Sequence, residues 1–295
     1  MTQPSDIQTA TPHHYHPRIQ RVCDYVQQHL NDEISLDTLS DLAAFSKYHF
    51  HRVFSAQVGV SISQYVLLCR LKRASFRLAF EHQKRIIDIA FEAGFERPEA
   101  FSKAFKRTFG QSPSEFRERP QWPQWHARFE FDVPTYGQQQ MQVTIVNFLT
   151  TKVAKLEHLG PPENVLATAG RFIAWRKTTG LSPVKTSNTY GIPYSDPNTT
   201  PPEQFRWDVC GSIDQDVPAN EFGVVTGMIP GGRCARIRHL GSHDSLDDSI
   251  YYVYRQWLPQ SGENLRDFPC FFHYVNLIHE VDECDLITDV YVPLL

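Results

Sequence analysis

The stretch "YHFHRVFSAQVGVSISQY" (residues 48–65) returns further along the chain as "EAFSKAFKRTFGQSPSEF" (residues 99–116). At one constant offset Phe50 falls on Phe101, Phe54 on Phe105, Val58 on Phe109, Gly59 on Gly110, Ser61 on Ser112, Ser63 on Ser114 and Tyr65 on Phe116. Apolar residues at i, i+4 and i+8 trace one stripe of a helix, and a glycine directly after each stripe supplies the left-handed residue that ends it. The lead-in segments repeat too. "DTLSDLAAFSKYHF" and "IIDIAFEAGFERPEAF" each give a short apolar helix, a small residue (Ala44, Gly94), a phenylalanine (Phe45, Phe95) and the start of a second helix. Ser46 suits the N-cap of that helix in the first copy, and Pro98 suits the first helical position in the second. Two short helices joined by a tight turn, the second carrying basic and polar side chains, form a helix-turn-helix, and this chain has it twice.

Between the copies, Ile62 to Phe80 contains neither Gly nor Pro, and Ser61 with Gln64 resembles a capping box, so one continuous helix is predicted. At about 1.5 Å per residue it is roughly 28 Å long, near the ~34 Å between successive major-groove openings on one DNA face. The charge is divided to match. Residues 15–120 hold 16 Lys+Arg against 12 Asp+Glu, whereas residues 121–295 hold 13 against 20, in a chain of net charge −4. A basic region inside an acidic chain points toward nucleic acid.

"GFERPEAFSKAFKRTFGQSPSEFR" (residues 94–117) resembles the signature of the AraC/XylS family of bacterial transcription regulators, and the first copy is similar to that family's first helix-turn-helix. The resemblance covers about residues 17–118. It implies seven helices in two helix-turn-helix subdomains joined by a long helix, with both recognition helices in adjacent major grooves of double-stranded promoter DNA. It places the base-reading positions on Tyr48, His51 and Arg52 in the first copy and on Arg97, Glu99, Ala100, Ser102 and Lys103 in the second. Arg52 can pair with guanine O6 and N7, while Ala100 offers only a methyl contact to thymine. Lys106 and Arg107 are assigned to phosphates.

After Arg119 the composition changes. "RPQWPQWHARFEFDVPTYGQQQ" contains three prolines and reads as a linker over residues 119–139. Beyond it a second repeat appears: "VAKLEHLGPPENV" (153–165) aligns with "CARIRHLGSHDSL" (234–246), setting Ala154 on Ala235, Leu156 on Ile237, His158 on His239 and Gly160 on Gly241. Each copy runs strand, glycine turn, helix. Further strands are predicted at "MQVTIVNF", "TYGIPYS", "FRWDVCGSI", "EFGVVTGMIPG", "CFFHYVNLI" and "LITDVYVPL". The fold class is therefore an all-α double helix-turn-helix domain followed by an α+β domain, residues 140–295, built from a duplicated unit on an antiparallel sheet. Such a sheet leaves a groove at its pseudo-twofold, a usual place for a small ligand. His158 and His239 precede their turns without carboxylates at ligand spacing and read as structural.

Residues 140–295 resemble the GyrI-like effector-binding domain through "GGRCARIRHLG", "FRWDVC" and "TDVYVPL". That resemblance implies an aromatic pocket for a small amphipathic, often cationic, molecule. Relatives commonly carry a pocket Glu where this chain has Phe272. Strand alternation nominates Tyr190, Ile192 and Tyr194 on one strand face, Phe272 and Tyr274 on another, and Trp207, with Glu280 and Asp208 as candidate substitute charges. Without the Glu, hydrolase activity is not expected; the remaining alternative is a protein-interaction module contacting RNA polymerase or gyrase.

No segment approaches the ~18 apolar residues of a membrane span, and residues 1–16 lack the basic and apolar regions of a signal peptide and read as a disordered tail. A cytoplasmic protein is expected. Cys23, Cys69, Cys210, Cys234, Cys270 and Cys284 form no CxxC pair, so neither zinc nor a disulfide framework is implied, and no cofactor is expected.

Overall fold

The computed structural model describes residues 15–129, 131 and 141–295. The chain divides into two compact units, with the division falling after Arg70. The first comprises the described residues up to Arg70 together with Phe131; the second comprises 71–129 and 141–295.

In the first unit α1 (His16–Gln28), α2 (Leu36–Leu42) and α3 (Lys47–Val58) pack against the start of α4 (Ile62–Phe80). Phe50, Phe54 and Val58 are fully buried with Ile19, Val22 and Val26 of α1, as their periodicity predicts. Ser35 caps α2, its Oγ accepting the Thr38 N–H at 3.1 Å. Ser46 occupies the N-cap position of α3 in extended conformation but makes no side-chain cap bond. Gly59 closes α3 at φ 83°, and the turn before it holds Ala44 at φ 51°. The equivalent turn in the second copy uses Gly94 at φ 76°, so the first copy bears a left-handed alanine costing about 1 kcal/mol.

The second unit begins with the latter half of α4 and continues through α5 (Ile86–Glu92), α6 (Pro98–Phe109) and α7 (Pro113–Glu118). Pro98 takes the first turn of α6, and Gly110 at φ 77° ends it. Ser112 and Glu115 complete a capping box at α7. The two copies use matched contacts: the Phe54 and Tyr65 rings meet edge-on at 5.7 Å, and Phe105 and Phe116 do so at 5.4 Å. The 119–139 segment read as linker carries α8 (Trp122–His126) in its first part. A proline is tolerated in a first helical turn, and Trp122 and Trp125, both 2 % exposed, bury against Phe76, so the aromatics outweigh the broken periodicity. Most of the remainder of that segment lies outside the described residues, as do His13 and His14.

The sheet holds β1 (Val143–Phe148), β2 (Thr151–Leu159), β3 (Thr189–Pro193), β4 (Arg206–Ser212), β5 (Val225–Ile229), β6 (Gly232–Leu240), β7 (Phe271–Tyr274) and β8 (Ile287–Pro293), each on a predicted strand. Their order is β1-β6-β8-β7-β3-β4-β2-β5, with every pairing antiparallel. Each copy's leading strand is exchanged: β1 pairs with β6, and β5 pairs with β2. The copies join at β3 and β7, where Gly191 faces Phe272. One sheet face gathers Val153, Tyr190, Ile192, Cys210, Cys234 and Phe271; the other carries helix α9 (Val165–Thr179) in the first copy. In the second copy the same face carries α10 (Leu246–Tyr252), continued by a π-helical stretch over Val253–Trp257 and by α11 (Leu258–Ser261). All six cysteines are free.

His158 and His239 are structural in the same way. His158 Nδ1 meets Thr168 Oγ1 at 2.8 Å, and its Nε2 donates to the Gly160 and Pro161 carbonyl oxygens. His239 Nδ1 meets Ser249 Oγ at 2.9 Å, and its Nε2 donates to the Ser242 carbonyl at 2.9 Å. Each ring pins its strand's end to its own helix. Among the described residues no cluster of metal-ligating side chains occurs.

Candidate functional site

Burying the apolar stripe of α3 turns Tyr48, His51 and Arg52 to solvent, and Tyr48 is 83 % exposed. In α6 the same logic exposes Arg97, Glu99, Ala100, Lys103, Lys106 and Arg107, with Ser102 half-buried. The α6 cations follow Phe101, Ala104, Phe105 and Phe109 around the helix, so hydrophobic packing fixes the face on which they stand. α3 and α6 thus each present a polar, cation-bearing surface.

A cavity opens on the helix face of the sheet in the first copy, enclosing about 760 Å³ of empty space with its mouth included. α9 supplies Val165, Leu166, Ala169, Phe172, Ile173 and Arg176, a helical stripe that ends in a cation. Strands add Thr189, Trp207, Val209 and Tyr274, and loops add His243 and the run from Asn276 to His279. Gly191 lies beneath. A Cβ there would come within 2.7 Å of the Tyr274 hydroxyl and 2.8 Å of the Trp207 ring, so the missing side chain is what lets both aromatics lie over β3.

The wall is apolar with few polar groups. Burial raises the Tyr274 phenol above its ordinary range. Burial likewise lowers His243 to about 4, reinforced by His239, and lowers His279 to about 4, reinforced by Lys177, so both rings are neutral at neutral pH. Arg176 is 2 % exposed; its Nε donates to Ser182 O at 2.5 Å, Nη1 to Thr189 Oγ1 at 2.7 Å and Nη2 to Ser187 Oγ at 3.2 Å. No carboxylate lines the cavity among the described residues.

Of the sequence candidates, Trp207, Tyr274 and Tyr190 border this cavity, although the Tyr190 ring packs on the opposite sheet face against Phe148 and His273. Ile192 shares that opposite face and is 2 % exposed. Tyr194 lies past the end of β3, half exposed, with the Arg206 guanidinium 4.1 Å over its ring. Glu280 is exposed and outside the wall. Phe272 does share a face with Tyr274, but it is 1 % exposed, packed on Trp207 at 5.4 Å within the core under α10. Alternation assigned the face correctly; it does not say which helix covers it. Asp208 is fully buried and paired with Lys155 at 3.1 Å, in keeping with a structural role.

The sequence did not nominate Phe80, the last residue of α4, which also lines the cavity. Its ring lies 5.6 Å from His279 and stacks on Trp122 at 6.0 Å, and its carbonyl accepts from Lys177 Nζ at 3.0 Å. The same part of α4 is clamped by charge. Lys72, 8 % exposed at its side chain, meets Asp244 at 2.6 Å and Glu283 at 2.8 Å, while Arg73 meets Asp282 at 2.8 Å. Burial works against the Lys72 charge, yet the two carboxylates outweigh it and hold its pKa above the ordinary value. Asp244 follows His243 of the cavity wall directly, and Asp282 lies three residues beyond His279.

Family models match both halves: a GyrI-like small molecule binding domain over residues 141–295 and a helix-turn-helix domain over residues 39–119. The chain is 47% identical over 154 residues to the probable transcriptional regulator YgiV of Escherichia coli K12, covering 52% of this chain and 96% of that protein. It is 25% identical over 244 residues to the right origin-binding protein of the same organism, covering 80% of this chain and 82% of that one. Among solved structures, the EcmrR C-terminal domain aligns with TM-score 0.45 at 16% identity, covering 53% of this chain and 99% of that one. No helix among the described residues is long and apolar enough to cross a membrane. With two helix-turn-helix units ahead of a cavity-bearing duplicated sheet, the chain belongs to the GyrI-like small-molecule-binding family and is an AraC-type DNA-binding transcription regulator.

Proposed function

We propose that this regulator is a one-component cytoplasmic sensor: a small aromatic or amphipathic molecule fills the cavity, and its presence is read at α6 on promoter DNA. One observation carries the reading. An unbroken line of ring contacts runs from the cavity wall to the core of α6: His279 to Phe80 at 5.6 Å, Phe80 to Trp122 at 6.0 Å, Trp122 to Phe116 at 5.3 Å and Phe116 to Phe105 at 5.4 Å. Close-packed rings do not deform continuously, so a ligand that displaces Phe80 biases how α6 is held.

In this reading Arg52 and Lys103 contact bases, Lys106 and Arg107 contact phosphates, and the DNA-bound protein acts on RNA polymerase. In this reading the cavity binds without catalysis: among the described residues no carboxylate lines its wall, and His243 and His279, both lowered to about 4 by burial, are weak bases.

The test starts from DNA sites selected on the purified full chain and cavity ligands found by thermal shift. Arg52→Ala is expected to cost about 1–3 kcal/mol at the selected site and to relax preference at one base pair, whereas Lys106→Ala weakens all sequences alike. Trp122→Leu breaks the line of rings away from the cavity wall and is expected to keep ligand binding but to lose the ligand's effect on DNA affinity and on transcription by purified polymerase. Ligands that occupy the cavity of the wild-type protein and leave both readouts unchanged would sink the sensor reading.

A further inference from the structure

Arg176 is a buried cation with no countercharge. Its three hydrogen bonds go to neutral oxygens, a carbonyl and two hydroxyls, and among the described residues no ion pair reaches it. Burial pulls the guanidinium down to about 10, with the field of Glu280 opposing, so it is charged at neutral pH. An unpaired buried charge is costly, and proteins ordinarily pair such groups or neutralise them. Here the unpaired group borders a cavity that its own helix stripe lines with Val165, Leu166, Ala169, Phe172 and Ile173. The polar groups that line the cavity add no negative charge among the described residues, since His243 and His279 are neutral and Tyr274 is a protonated phenol; Lys177 at Phe80 is a second cation, and the Glu280 carboxylate, whose field reaches Arg176, stands exposed outside the wall.

The geometry points to an anionic amphiphile as the ligand class, an aromatic or alicyclic body in the apolar part of the cavity with a carboxylate or similar acid on the guanidinium of Arg176. This inference rests on the cavity being the ligand site, and it fixes the sign of the ligand's charge. The hydrogen bonds that Arg176 donates to Ser182, Thr189 and Ser187 hold the guanidinium plane in place, so the acid meets a donor that is already oriented. A quaternary ammonium of the same shape would meet that charge with no carboxylate to balance it.

Titration calorimetry of the full chain with three probes of one shape tests this: naphthalene-2-acetate, naphthalene-2-acetamide and 2-naphthylmethyl-trimethylammonium. The acetate is expected to bind about tenfold or more tighter than the amide, and the ammonium weakest. Arg176→Gln is expected to bring acetate and amide within about twofold. Because Arg176 also ties down the loop after α9, a second variant keeps it: Ser187→Asp supplies a carboxylate beside Nη2, and the acetate's advantage is expected to fall several-fold. An ammonium that matches or beats the acetate on wild-type protein, or an acetate preference that survives both variants, overturns the inference and leaves the cavity reading standing. Failure of all three probes to bind, with the intrinsic tryptophan fluorescence unmoved on their addition, overturns the cavity reading itself and this inference with it.

Discussion

The two copies of the strand-helix unit share a skeleton and differ in what fills it. The offset that sets His158 on His239 also sets Thr168 on Ser249, and both pairs make the same hydrogen bond. Asp208 falls on Asp289, each buried and each paired with a cation from the neighbouring strand. At the cavity the correspondence breaks by size. Ala169 falls on Ile250, and Gly191 on Phe272. The small members border or underlie the cavity of the first copy, and the large members belong to the packed core of the second. Duplication supplied two equivalent shells, which differ at these positions in side-chain volume. The second helix is further altered by its π-helical stretch, which ends just before Pro259 and brings Tyr254 and Trp257 against that core.

The largest expected effect comes from emptying the filled copy. Phe272→Ala removes a ring that is 1 % exposed and is expected to cost about 3–5 kcal/mol in chemical denaturation, in contrast to substitutions at the cavity wall. A loss below about 1 kcal/mol would mean that the second copy was never tightly filled, and the contrast between the copies would fail. The same burial means that Phe272→Glu is expected to destabilise the fold and not to retune the ligand.

Next, filling the open copy with its counterpart's residue should close it. Ala169→Ile adds apolar volume where α9 faces empty space, so naphthalene-2-acetamide binding is expected to weaken about tenfold, equivalent to about 1.4 kcal/mol, while the midpoint of urea unfolding does not fall. Unchanged probe affinity would place the ligand elsewhere.

The smallest effect is one on which the copies should agree. Thr168→Val, which keeps the buried methyl, and Ser249→Ala each take a hydroxyl from a buried imidazole and are expected to cost about 1 kcal/mol apiece, equal within error. Unequal costs would show that the hinge between strand and helix differs between the copies, despite its matched geometry.

Much of this was legible in the chain. Every strand of the sheet lies on a segment whose alternation marks it, both helix-turn-helix units follow from one repeat, and the exposed faces of α3 and α6 follow from their buried stripes. The cavity was only half legible. Trp207 and Tyr274, nominated by strand alternation, border the cavity; Ile192 lies in the core of the opposite sheet face, Tyr194 lies past the end of β3, Phe272 is covered by the helix of the second copy, which alternation does not record, and Glu280, nominated for its charge, stands outside the wall. Arg176 did leave a signal: Val165, Leu166, Ala169, Phe172, Ile173 and Arg176 form one helical stripe, and a charge closing an apolar stripe asks for a partner. Phe80 left none. It reads as the last apolar residue of a long helix, and its place at the cavity is set by contacts with residues some 200 positions further on, which no local pattern records.

The exchanged leading strands have a consequence for how the protein is made. β1 finds its ladder on β6, while β2 finds one of its own on β5. At about 5–20 residues per second, the ribosome needs about 4–18 s to pass from one of these partners to the other, and throughout that interval β1 lacks its ladder partner. The first copy can form its own β2–β4–β3 ladders, but its leading strand must wait for the second copy. A ribosome stalled within the second copy would hold out a strand edge ready to pair with any neighbouring nascent chain of the same sequence, and the exposed Ile145 on β1 would make that pairing adhesive.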